Sequence, residues 1–177
     1  MSRTQIARPA AVAAIRPVAV AVAVASIRPA RAADVPGLAD FFAGLSMQSR
    51  YLRFFSPITP GPSLLRVLSG GDGTTDAVLA IRDGVIIGHC MAADRPGPGE
   101  GITTDIGVVV ADAWQRRGVG SALLRAVVAG AQVRGVASVT MDVLPDNDGV
   151  IAMIRALWPA ARRRRGKDCD TYHVQLG

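Results

Sequence analysis

The sequence predicts a mixed α/β domain, and three observations carry that reading. A continuous β-branched run at 105–110 leads at once into a glycine-bearing turn and then into an apolar stripe at helical spacing. Upstream, the apolar runs 77–81 and 85–92 are joined by Asp83-Gly84, a strong hairpin signal. Downstream, a strand pattern, a helix pattern and a closing strand pattern follow in turn. With 177 residues, half of them hydrophobic, the chain has room for a single core.

Taken in order, residues 1–25 are low-complexity Ala/Val with scattered arginines, and the domain proper is expected over 26–177. The early arginines and Ala23-Val24-Ala25 imitate a signal peptide. However, the uncharged run at 17–27 is 11 residues, well short of the ~20 that span a bilayer. A disordered extension is expected instead, its end donating a first strand at 20–28. Asp34 is placed to N-cap a helix carrying Val35, Leu38, Phe41, Phe42 and Leu45 on one face. Short helices at 49–55, stopped by Pro57, and at 64–68 follow, with a flexible Gly-rich segment at 69–73. After the hairpin, 95–101 reads as a Pro/Gly loop. The strand 105–110 precedes the turn and a helix to about residue 134. A strand at 136–144, a helix at 148–157 and a last strand at 171–176 complete the order.

The turn itself is Gln115-Arg116-Arg117-Gly118-Val119-Gly120, with Val108-Val109-Val110 before it and Ser121 after it. Two glycines two residues apart allow a tight turn and remove side chains that would block an incoming group. First-turn N–H groups of the following helix have no partners within it, so a phosphate can accept from them, helped by Arg116 and Arg117. Each such charge-assisted bond contributes roughly 1.5–3 kcal/mol. The glycines alone fit an ordinary strand–helix turn equally well. The loop is no Walker loop, because no Gly-Lys-Ser/Thr follows, and it lacks the third glycine of the dinucleotide fingerprint.

Gln-x-x-Gly-x-Gly after a valine strand resembles the acetyl-CoA loop of the GNAT superfamily of N-acetyltransferases, and the element order from about Ser26 to Leu176 is similar to that fold. The resemblance implies a mostly antiparallel central sheet with a splayed pair of strands, flanked by helices. It further implies that backbone at Val108, Val109 and Val110 pairs with the pantetheine arm of acetyl-CoA. The loop Gln115, Arg116, Arg117, Gly118, Val119 and Gly120, with Ser121, would then hold the pyrophosphate. Asn147, in Leu144-Pro145-Asp146-Asn147, resembles the family's asparagine before the helix that lines the cofactor arm; a turn or helix cap is the alternative role.

Two further stretches are similar to Pat-type protein lysine acetyltransferases, which acetylate acyl-CoA synthetases. They are Ser49-Arg50-Tyr51-Leu52-Arg53-Phe54-Phe55, for which core packing is the plainer role, and the run from Thr104 to Gln115. The resemblance places the family's strand glutamate on Asp105. Neutralising a lysine amine needs help, because at pH 7 only about one in 2,500 is uncharged. A carboxylate beside the thioester, acting directly or through one water, can take the proton. Asp105 is therefore the expected base, its carboxylate pushed upward by burial; the other roles for an aspartate here are pairing with an arginine or capping a turn. Residues 148–157 carry none of the tyrosines that many of these enzymes use as general acid, and Trp158-Pro159 replaces the usual Gly-Phe.

Composition excludes less than it suggests. The net charge of +6 and pI of about 10.6 come from the ends: residues 32–161 hold 10 arginines, no lysine and 12 acids. The tail Arg162 to Arg165 with Lys167 reads as a solvated run, without the interleaved aromatics of a base-stacking surface. Neither a nucleic-acid nor a membrane partner is expected. Cys90 and Cys169 form no disulfide or zinc pattern, and His89, alone in its strand, reads as a packed or surface residue rather than a base or metal ligand. The expectation is thus a cytoplasmic, metal-free enzyme passing acetyl from acetyl-CoA to a primary amine, preferably a protein lysine. A small amine acceptor, or a non-catalytic acetyl-CoA-binding regulator, is the alternative.

Overall fold

A computed structural model of the chain describes residues 25–70, 75–96 and 102–176. Seven strands form one sheet in the order β1-β2-β3-β4-β5-β7-β6. These are β1 (Ser26–Pro29), β2 (Thr75–Arg82), β3 (Val85–Pro96), β4 (Ile102–Val110), β5 (Ser138–Val143), β6 (Arg162–Arg165) and β7 (Asp170–Gln175). Every neighbouring pair is antiparallel except β4 and β5. That pair is in register only over Thr103–Ser138, Thr104–Val139 and Asp105–Thr140. Beyond Asp105, β4 continues against β3 to Val110 while β5 leaves it, so the sheet splays open there.

Helices cover both faces. α1 (Val35–Gly44), α2 (Met47–Phe54) and α3 (Pro62–Leu68) lie on one side. There Leu38, Phe42, Leu68, Leu79 and Val109 form a buried cluster. On the other side α4 (Val119–Val133) and α5 (Asp148–Leu157) pack Leu123, Leu124, Val127 and Ile154 against Val78, Cys90, Val139 and Tyr172. Gly88 allows this approach, since a Cβ there would lie 2.9 Å from a Leu123 methyl.

Several expectations are corrected. Asp34 does begin α1, but its side chain makes no cap bond. A 3-10 turn precedes the helix, and the carboxylate binds Arg28 through two bonds of 2.6 and 2.7 Å and accepts from the Arg31 amide. The expected loop at 95–101 starts later, because Arg95 and Pro96 still pair with β4; residues 97–101 lie outside the described residues. Residues 20–24 of the expected first strand and most of the Gly-rich segment (71–74) lie outside them too. The basic run Arg162–Arg165 is exposed throughout, as expected of a solvated run, but it is ordered as an edge strand against β7. Arg163 gives it a foothold by bonding Asp170, whose carboxylate is buried. The Asp83-Gly84 turn is as expected: both residues have positive φ, 49° and 79°, matching the twist of a tight hairpin. Among the described residues, no helix is long and apolar enough to cross a membrane.

Candidate active site

The loop after β4 is shaped by two residues in the left-handed region. Arg116 has φ 59° and Gly118 has φ 81°, a conformation natural only to glycine in the second case. Gly118 is the N-cap of α4 and offers no side-chain acceptor to the helix. The first intrahelical bond is Ala122 N–H to Gly118 C=O at 3.1 Å. The amides of Val119, Gly120 and Ser121 precede it, so the positive end of α4 has N–H groups free for an anion. Gly120 packs closely on α5: a Cβ there would lie 3.1 Å from the Met153 sulfur, which would have to shift by a few tenths of an ångström.

These elements enclose a cleft of about 640 Å³ at the splay, bordered by Val108, Val109, Val110, Gln115, Arg116, Gly118, Gly120, Ser121 and Asn147. The sheet gap supplies one wall and the first turn of α5, Asp148 to Val150, another. Asn147 is the N-cap of α5, its side chain accepting from Val150 N–H at 3.3 Å. The capping role and the position beside the cleft therefore coincide. Two of the predicted loop residues turn elsewhere. The Val119 side chain is buried in the core, leaving only its amide for a ligand, and the Arg117 guanidinium lies 5.2 Å from the Trp114 ring centroid.

Gln115 does something the motif alone does not reveal. Its Nε2 donates to Val110 C=O (3.1 Å) and to Ser49 Oγ (3.0 Å), tying the loop both to the end of β4 and to α2. Ser49 Oγ in turn donates to Asp112, which also accepts from the Ser46 amide (2.9 Å) and hydroxyl (2.7 Å). Burial alone would push the Asp112 carboxyl up, but these bonds outweigh it and hold it below its ordinary value. α2 is thereby fastened at its N-terminus to the turn that follows β4.

A second chamber of about 260 Å³ opens from the cleft and shares Leu52, Arg53, Val108, Asn147 and Val150 with it. Asp105, Asp142, Met91 and Phe55 line its remainder. Asp105 is not buried as expected. Its side chain is 51% exposed, pairs with Arg95 at 2.6 Å and accepts from the Thr140 hydroxyl. The partner comes from the extension of β3 past the predicted loop start, and the bond to Asp105 raises the Arg95 pKa further. Asp142, also exposed, accepts from Thr171 Oγ1 at 2.7 Å. It is a second carboxylate that sequence reading missed, because only the pairing of β5 with β4, Asp105 opposite Thr140, brings it to this chamber.

His89 lies apart from both spaces. It is buried against Phe42 with Nε2 2.8 Å from Leu68 C=O, and burial lowers its pKa to about 3, so it is a neutral packing residue. Among the described residues no group of three His, Cys, Asp or Glu could hold a metal.

The comparisons agree with this architecture. The model of the Acetyltransferase (GNAT) family matches residues 46–157. The GNAT domain of S. lividans PAT is similar at 26% identity and a TM-score of 0.77, over 86% of this chain and 90% of that one. At 18% identity and a TM-score of 0.69, yncA of Salmonella typhimurium, solved with its cofactor acetyl-CoA, covers 87% of this chain and 95% of its own. A phosphinothricin acetyltransferase from Sinorhizobium meliloti, in complex with acetyl-CoA, shows 20% identity and a TM-score of 0.69 over 87% and 89%. The last two establish the fold alone. Family match and fold together are those of an acetyltransferase. The chain belongs to the Acetyltransferase (GNAT) family.

Proposed function

We propose that the protein transfers acetyl from acetyl-CoA directly to a primary amine, with a protein lysine as the preferred acceptor. The observation that carries this reading is the junction of the two spaces at the splay, where Val108 and Asn147 border both. A donor lying along the open edge of β4 and an amine entering the smaller chamber would meet there. The chain fits the donor: the free amides of α4, the missing Cβ at Gly118 and Gly120, and Arg116 suit a pyrophosphate. Backbone of Val108 to Val110, no longer paired with β5, suits the amides of a pantetheine arm. When bound, acetyl-CoA supplies an activated thioester.

The residues of the chain then do the following. Asp105 takes the proton of the incoming ammonium through a water, because the carboxylate opens to solvent and its inner oxygen is held by Thr140. The amine nitrogen bonds to the acyl carbon and gives its second proton to water, the C–S bond breaks, and the thiolate leaves to be protonated by solvent. Backbone N–H groups of β4 near Val110 stabilise the oxyanion that forms between these events. The Pat-like segments, together with the likeness to the GNAT domain of S. lividans PAT, support a lysine acceptor. A non-catalytic acetyl-CoA-binding role is the second reading, favoured by one observation: Arg95 occupies the carboxylate that should accept the proton. Thiol release measured with a panel of amines and acyl-CoA synthetases separates them. Turnover above the hydrolysis background supports transfer. Tight acetyl-CoA binding with no acceptor-dependent release contradicts it.

A further inference from the structure

Arg53 is a cation without a counter-charge at the point where the two spaces meet. It projects from α2 and lies flat on Gly107; a Cβ at 107 would come within 2.6–2.8 Å of its guanidinium atoms. Among the described residues it has neither an ion pair nor a hydrogen bond, and its Nε is shielded from solvent. Its one close partner is the ring of Phe54, 4.9 Å away. Burial lowers its pKa to about 10, which leaves it charged at neutral pH. A half-buried, unpaired guanidinium is unfavourable unless something anionic completes it.

Among the described residues no carboxylate pairs with it. Asp105 is held by Arg95 and Thr140, and Asp142, which accepts from Thr171, makes no ion pair with Arg53. Nor is the pyrophosphate a candidate. The α4 amides lie past Val110, whereas Gly107 lies at the opposite end of the Val108–Val110 stretch, beyond where a thioester would stop. Arg53 therefore faces the space the acceptor enters. Its planar fork matches a carboxylate with two parallel bonds. Phe55, the 41% exposed C-cap of the same helix, lines the smaller chamber with Arg53 and adds an apolar surface suited to a peptide.

We propose that Arg53 seats a carboxylate carried by the acceptor, so that the preferred amine is a lysine flanked by an acidic side chain. This rests on the acetyl-transfer reading above. The test uses the full chain and its Arg53→Gln, Arg53→Lys and Gly107→Ala variants. Matched amines differ only in a carboxylate or its amide: lysine peptides flanked by Asp or Asn, and lysine against lysinamide. A parallel arm compares succinyl-CoA with acetyl-CoA.

The wild type should favour the carboxylate member of an amine pair by about tenfold or more in kcat/KM, the scale of one charge-assisted bond. Arg53→Gln and Gly107→Ala should lose that preference, and Arg53→Lys should keep part of it. Equal rates for both members in the wild type, or a preference that survives Arg53→Gln, overturns the proposal. A preference confined to succinyl-CoA also overturns it, by moving the carboxylate to the donor. Should no pair release thiol, the transfer reading fails by itself. Calorimetry of the same pairs against the CoA-loaded protein then decides Arg53, a carboxylate preference supporting it and its absence overturning it.

Discussion

At the scale of single residues, the proposed chemistry rests on groups whose backbones, more than their side chains, are specialised. Gly118 combines a left-handed φ with a place at the positive end of α4. Gly118→Asp adds a strained conformation, about 1–2 kcal/mol, and a negative charge facing the proposed pyrophosphate. Calorimetry should find no acetyl-CoA binding in this variant; wild-type affinity would remove the loop from the site. For Asp105 the expectation is kinetic. Asp105→Ala should lower turnover by about 10²–10⁴-fold, the usual share of a general base, with acetyl-CoA affinity within a few-fold. Asp142→Asn should leave most activity. If the two effects are reversed, Asp142 is the base and Asp105 serves to hold Arg95.

At the scale of elements, α2 borders both spaces through Leu52 and Arg53 and is held by Asp112 through Ser46 and Ser49. Asp112→Ala should cost about 1–3 kcal/mol in urea unfolding, the lower end applying because the carboxylate is partly exposed. Acid should reproduce it. Since Asp112 is held below its ordinary value in the folded chain, the unfolded chain binds the proton first. The contribution is complete above an unfolded pKa of about 3.9 and is lost as pH falls through the lower folded value. In Asp112→Ala that part of the acid sensitivity should vanish. The edge strand β6 offers the contrasting case. Replacing Arg162, Arg164 and Arg165 by Gln should leave turnover nearly unchanged, while Arg163→Gln should lower Tm by stranding the buried Asp170.

Local and non-local causes also divide what was legible in the sequence. α5 was read at its observed bounds because Asn147 caps it from the adjacent position and Trp158-Pro159 follows its end. The hairpin was equally readable, since Asp83-Gly84 carries its own turn chemistry. Four arginines in a row look solvated, and only pairing with β7 makes them a strand. The burial expected for Asp105 failed for the same reason. Its environment is set by Arg95, ten residues earlier, which the β3–β4 register carries to it. Arg53 stood inside a quoted motif, yet nothing in that motif says that its charge goes unmatched.

For the whole molecule, the consequence of one parallel pair in an otherwise antiparallel sheet is a gap with unpaired β4 backbone on one side and two helix N-termini around it. Net charge plays little part, since the central residues are slightly acidic while the basic excess sits at the ends. Residues 1–24 are low-complexity Ala/Val with scattered arginines and precede the domain expected over 26–177. On that expectation a chain lacking them should keep its Tm and its acetyl-CoA affinity, as thermal melts and calorimetry can check. The claim that the splay holds the donor is tested most directly by amide hydrogen exchange with and without saturating acetyl-CoA. Protection should rise at Val108 to Val110 and at Val119 to Ser121, and stay unchanged along Arg162–Arg165. Binding that leaves those β4 and α4 amides as exchangeable as before, or that protects a different part of the sheet, would contradict it.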